Sequence, residues 1–296
     1  MKIVAIHGIA QTYEGSSTLK SQWLPALQTG LEEAGVPLIK AGDLEVVGYG
    51  ALFRPAGTRA GSIPQLDARD VQTGWEQDLL VAWWRAAAAL SEASRMASEP
   101  DVLGEDPSIQ GPDFQGRART PAVVQRALRQ LAKSRFFQGI GPERALIFGL
   151  KQVRLFLHDP TIKSAALDRV SRKVDASTRV IIGHSLGSII AYEALCAHPE
   201  WNVHTLVTLG SPLGIANLVF DALTPRPKEG VAAWPHVQQW FNIADVGDIV
   251  ALEKQLAPRF GPVVDRLVYN GWKSHAVERY LTARETGEAV ATGLNP

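Results

Sequence analysis

The stretch Arg179-Val180-Ile181-Ile182-Gly183-His184-Ser185-Leu186-Gly187-Ser188 constrains the fold more than any other in the chain. Three β-branched residues, Val180, Ile181 and Ile182, predict a short buried strand. The apolar run from Ile189 to Leu195 predicts a helix. Between them stands Gly-x-Ser-x-Gly, as Gly183, Ser185 and Gly187. A strand that becomes a helix across so few residues needs a sharp turn. Such a turn strains the serine backbone and leaves no room for a Cβ at either flanking position, so glycine is expected at both. Ser185 would then project above the sheet with its Oγ exposed. The following helix points its N-terminus at that oxygen and favours negative charge there.

The rest of the chain supplies a sheet for this turn. Ile3 to Ile6 reads as a buried strand ending in His7-Gly8-Ile9. Trp23 to Ala34 reads as an amphipathic helix, and Leu44 to Leu52 as a second strand. Strand, helix, strand implies a parallel pair with a right-handed crossover. Further strands are expected at Val203 to Leu209, Gln238 to Ile243 and Val263 to Tyr269, with a last helix from Ala276 to Ala283. Between Arg54 and about Pro160 the strand pattern stops. Gly- and Pro-rich pieces at Pro55 to Pro64 and Glu99 to Pro121 separate helices near 71–96, 121–135 and 146–157. The expected fold is therefore α/β: a mostly parallel central sheet of about six strands, with helices on both faces. Residues 1–53 and 161–296 form its core, and 54–160 a helical insertion, or lid, placed before the nucleophile strand.

A serine hydroxyl needs a base, usually histidine, and a carboxylate to orient it. The chain has seven histidines. Only His275 follows both Ser185 and a carboxylate at a strand end. Two carboxylates compete for the third role, Asp245 and Asp248, both in the turn after the penultimate strand. Asp245 is nearer the strand end and Asp248 is followed by Ile249-Val250; the one that is not the acid would cap the turn. Ser211, followed directly by Pro212, lacks the glycine-flanked turn and reads as structural.

With His7-Gly8, Gly183-His184-Ser185-Leu186-Gly187, Thr208-Leu209-Gly210-Ser211-Pro212, the Asp245–Asp248 turn and Ser274-His275 in place, the chain resembles the α/β-hydrolase superfamily, nearest to intracellular serine lipases and esterases. The resemblance implies a carboxylic ester substrate and an acyl-enzyme on Ser185, with His275 as general base and Asp248 as the acid. It also implies an oxyanion hole from the backbone N–H groups of Ile9 and Leu186. The insertion lies outside the resemblance, so the substrate is left open. A lipid-acting phospholipase or thioesterase using the insertion to bind acyl chains, and a non-catalytic binding module, are the alternatives. Trp83 and Trp84 are adjacent on one predicted helix. They would either fill the seam between insertion and sheet or line an acyl pocket.

Composition narrows the partners. Formal net charge is zero and the pI is about 7.1, so nothing suggests nucleic acid. The single cysteine, Cys196, gives neither a disulfide nor a metal cluster, and no cofactor or metal is implied. No apolar run reaches the length of a membrane span, and Lys2 to Ile6 starts a strand at once with no leader pattern, so a cytoplasmic chain is expected. Arg117 to Arg154 is strongly basic after a mostly acidic first part of the insertion. Helix 121–135 would then either touch a membrane surface peripherally or belong to two helical pieces that pair their charges.

Overall fold

A computed structural model describes residues 1–9, 11, 14–54, 64–98, 121–133 and 143–294. Six strands form one sheet: β1 (Lys2–Ile6), β2 (Leu44–Val47), β3 (Thr178–His184), β4 (Thr205–Leu209), β5 (Gln239–Asp245) and β6 (Val263–Val268). Their order is β2-β1-β3-β4-β5-β6, and every neighbouring pair is parallel. Side chains alternate between the two faces, so each strand feeds two cores. Ile3, Ala5, Val180, Ile182, Val207 and Ile243 face one, and Val4, Ile6, Ile181, Leu206 and Trp240 the other. Both faces are covered, and so the strands read as near-continuous apolar runs.

The first face is covered by α1 (Ser16–Glu33), α8 (Val277–Leu281) and α9 (Arg284–Leu294). Helix α1 starts well before Trp23, because Leu19 already opens the buried stripe completed by Trp23, Leu27 and Leu31. Helix α9 was not expected. It meets α1 through small residues: a Cβ on Gly287 would lie 2.0 Å from the carbonyl oxygen of Gly30. Such a crossing leaves little apolar periodicity to read. Strand β2 stops at Val47, short of Leu52. Gly48 is pressed against Ser16, and its carbonyl accepts a 2.6 Å bond from Arg169.

The second face carries α5 (Pro160–Ser171), α6 (Leu186–Ala197) and the insertion helices α2 (Trp75–Ser98), α3 (Pro121–Lys133) and α4 (Glu143–His158). A single-turn helix, α7 (Ala257–Phe260), precedes β6. The insertion helices share one apolar cluster with this face of the sheet. They are also tied by charge: Glu76, 0% exposed, accepts from Arg154 Nε at 2.7 Å and faces Lys151 Nζ at 3.3 Å. An acidic residue of the first part thus pairs with basic residues of the second. Helix α3 buries Val124, Ala127, Leu128 and Leu131 and leaves Arg129 exposed. The expected loops at 55–63 and 99–120, and the end of helix 121–135 beyond Lys133, lie outside the described residues. Among the described residues no helix is long and apolar enough to cross a membrane.

Candidate active site

Ser185 follows β3 directly and is the N-cap of α6, with φ 52° and ψ −125°. A non-glycine residue in this region is strained by roughly 1–3 kcal/mol and is held there only by its surroundings. The surroundings are visible. A Cβ on Gly183 would lie 2.6 Å from the Gly187 carbonyl, and one on Gly187 only 2.1 Å from the Ile6 carbonyl. Both flanking glycines are therefore required by close backbone approach. Ser185 N–H donates to Leu209 O at 3.0 Å, which pins the turn to β4. A hydroxyl chain supports it from below. Leu213 N–H donates to Ser211 Oγ, Ser211 Oγ lies 2.7 Å from Ser188 Oγ, and Ser188 donates to the Ser185 carbonyl at 2.6 Å. Ser211 thus serves as a prop.

The exposed Oγ anticipated from the motif is corrected by the packing: Ser185 is 1% exposed. The His7-Gly8 turn closes over it, so near that a Cβ on Gly8 would lie 2.7 Å from Ser185 Cβ. Ile9, next in that turn, is buried against α4, where a Cβ on Gly149 would be 2.9 Å from Ile9 Cδ1. Leu186 is the first residue of α6, so its N–H has no partner within the helix.

His275 and Asp248 meet. His275 Nδ1 lies 2.7 Å from Asp248 Oδ2, with Asp248 0% and His275 7% exposed. The loops after β5 and β6 bring the pair together beyond the sheet's carboxyl edge, where open α/β sheets place their ligands. Asp248 Oδ1 accepts from Val250 N–H at 2.9 Å, and Oδ2 also accepts from Tyr280 Oη at 2.7 Å. Burial alone would raise the pKa of Asp248. The charge and hydrogen bond of His275, with Lys254 and the Tyr280 hydroxyl, outweigh it and hold the carboxyl below its ordinary range. A carboxylate here accepts the Nδ1 proton of His275. That leaves His275 Nε2 as an acceptor, buried and without a partner among the described residues.

Asp245 does something else. Its Oδ1 accepts from Gly247 N–H at 2.7 Å and its Oδ2 from Asn270 N–H, so it ties its own turn to the end of β6. Two further histidines line the site. His184 Nε2 lies 3.0 Å from the carbonyl of His275, and the two rings sit 4.7 Å apart. His7 stacks on Tyr49 at 4.1 Å, and Tyr49 Oη donates to the His7 carbonyl. Burial pushes His7 down to about 4 and His184 to about 3, so both are neutral imidazoles near pH 7. Burial raises the Cys196 thiol to about 11, so it carries no thiolate to rival Ser185.

Trp83 is 1% exposed inside the apolar cluster, and Trp84 is half-buried against it. Sequence reasoning missed Tyr280 and His184 as partners of the pair. Neither carries a motif beyond the x position of Gly-x-Ser for His184. Among the described residues no group of three or more His, Cys, Asp or Glu could hold a metal ion. Neither a family model nor a curated protein matches this chain.

Proposed function

We propose that the chain is a serine hydrolase of the α/β-hydrolase type that cleaves a carboxylic ester. One observation carries the reading. A strained serine sits at a strand-to-helix turn, and the residue before it, His184, bonds the main chain of His275, an imidazole with a carboxylate on Nδ1 and, among the described residues, no partner on Nε2. In this reading Ser185 Oγ attacks the ester carbonyl while His275 Nε2 takes its proton. Asp248 stabilises the imidazolium that forms. The N–H groups of Ile9 and Leu186 receive the oxyanion. His275 then returns the proton to the departing alkoxide, leaving an acyl group on Ser185. Water, deprotonated by the same nitrogen, attacks the acyl carbon and restores the serine. The insertion helices, of which α4 packs on Ile9, act as the cover of the acyl side. A fluorophosphonate probe should label the wild-type chain once, at Ser185, and Ser185→Ala should abolish both labelling and hydrolysis of p-nitrophenyl esters. Undiminished labelling of Ser185→Ala would place the nucleophile elsewhere.

A further inference from the structure

We propose that Tyr280 is a positioning residue for the acid of this site: its phenol holds Asp248 from the side opposite the base and limits how firmly that carboxylate retains a proton on His275. The inference rests on the hydrolase reading for its kinetic consequence, though not for its geometry.

Tyr280 Oη makes two bonds that leave it no freedom. It accepts from the main-chain N–H of Asp245 at 2.9 Å and donates to Asp248 Oδ2 at 2.7 Å. Because the amide can only donate, the hydroxyl proton must point at Asp248. The ring is wholly buried in α8 beside Val277 and Leu281. Its burial keeps it from swinging away. A Cβ on Gly210 would already lie 2.7 Å from Asp248 Oδ2 and 3.0 Å from Tyr280 Cε2.

The same oxygen serves the base. Asp248 Oδ2 accepts from Tyr280 and from His275 Nδ1, both at 2.7 Å. Two donors on one oxygen divide its negative charge, so each is held less strongly than either would be alone. Withdrawing the phenol should therefore strengthen the hold on an imidazolium. The other groups facing the pair are accounted for. His184 bonds the His275 carbonyl and is neutral, Lys254 bonds the main-chain oxygen of Asp248, and the Asp245 carboxylate is spent on Gly247 and Asn270 amides. Among the described side chains, His275 and Tyr280 alone bond the Asp248 carboxylate.

Two measurements test this. In Tyr280→Phe the acid limb of the kcat/KM profile should move up by about half a pH unit, with a loss of up to about 3-fold on that limb. In a Ser185→Ala background, NMR titration of the His275 ring protons should show the same upward displacement for Tyr280→Phe. That arm needs no turnover, so it stands even if the chain hydrolyses nothing. Incorporation of a ring-fluorinated tyrosine at 280, a stronger donor of nearly the same shape, should move both midpoints down. Midpoints that stay fixed in both variants, with only the melting temperature lowered, would reduce Tyr280 to packing and overturn the proposal.

Discussion

Glu76 and Asp248 are both withdrawn from water, each 0% exposed, and their partners differ in kind. Glu76, in the insertion, meets two permanent cations, Arg154 and Lys151, and also accepts from Gln72 N–H at 2.8 Å. Its charge is matched at all times. Asp248, at the carboxyl edge of the sheet, meets a phenol, backbone amides and an imidazole. No cation bonds its carboxylate until that imidazole gains a proton, because the nearby Lys254 bonds the main-chain oxygen instead. A carboxylate that is already compensated can only tie helices together. One that awaits a cation favours the step that makes the cation.

The comparison can be broken most decisively at Asp248. Asp248→Asn should lower kcat by about 10³–10⁴-fold, because an amide favours the wrong tautomer of His275. Asp245→Asn should lose far less, since its carboxyl receives only backbone amides. Steady-state kinetics on the two variants decide the matter, and a more crippled Asp245→Asn would exchange the roles of the two carboxylates. Glu76→Gln should behave oppositely. Leaving the partly exposed Arg154 and Lys151 beside a neutral partner should cost roughly 1–3 kcal/mol of stability. The folded fraction should keep its kcat within about two-fold, as expected for a change remote from the chemistry. A urea titration run beside kinetics reads both, and a Glu76→Gln variant that is stable but slow would dissolve the distinction.

Acid sharpens the same contrast, with a smaller effect. The folded values of His7 and His184, about 4 and about 3, lie below the ordinary 6.5. As pH falls below 6.5, the unfolded chain gains protons that the folded chain refuses. Each histidine then removes up to about 1.4 kcal/mol of stability per pH unit, until its folded value is reached. Asp248, held low, keeps its contribution through this window and loses it only as pH drops through its own lower folded value. Between pH 7 and pH 5 the urea midpoint should therefore fall by the equivalent of about 2–4 kcal/mol. A midpoint unchanged over that interval would mean that the two imidazoles are not buried neutral.

Much of the sheet was legible because strands buried on both faces must be apolar throughout, as Val180 to Ile182 are. The turn at Ser185 was legible because its glycines answer a steric demand that leaves no alternative. Helix α9 was not, since a helix that crosses another at Gly30 and Gly287 announces itself by small residues instead of a stripe of large ones. Which of Asp245 and Asp248 reaches His275 is a matter of loop path, with no sequence period. Tyr280 lay beyond reach for the same reason: its bond to Asp248 spans 32 residues and joins a helix to a turn on the other side of β6.

The placing of β1 has a consequence for the order in which this molecule comes into being. In the sheet β1 lies between β2, made soon after it, and β3, made more than a hundred residues later. A chain emerging from the ribosome thus presents β1 with one open edge throughout synthesis of the insertion. The glycine turn at residues 7 and 8 waits for the serine it will cover. Helix α1 waits longer still, because α9, which packs on it, is made after all six strands. Contacts so distant along the chain form late and slowly. Ser185, His275 and the turn at Gly8 come together only after nearly every residue of this sequence has been added, so shorter nascent chains hold these residues without their assembly.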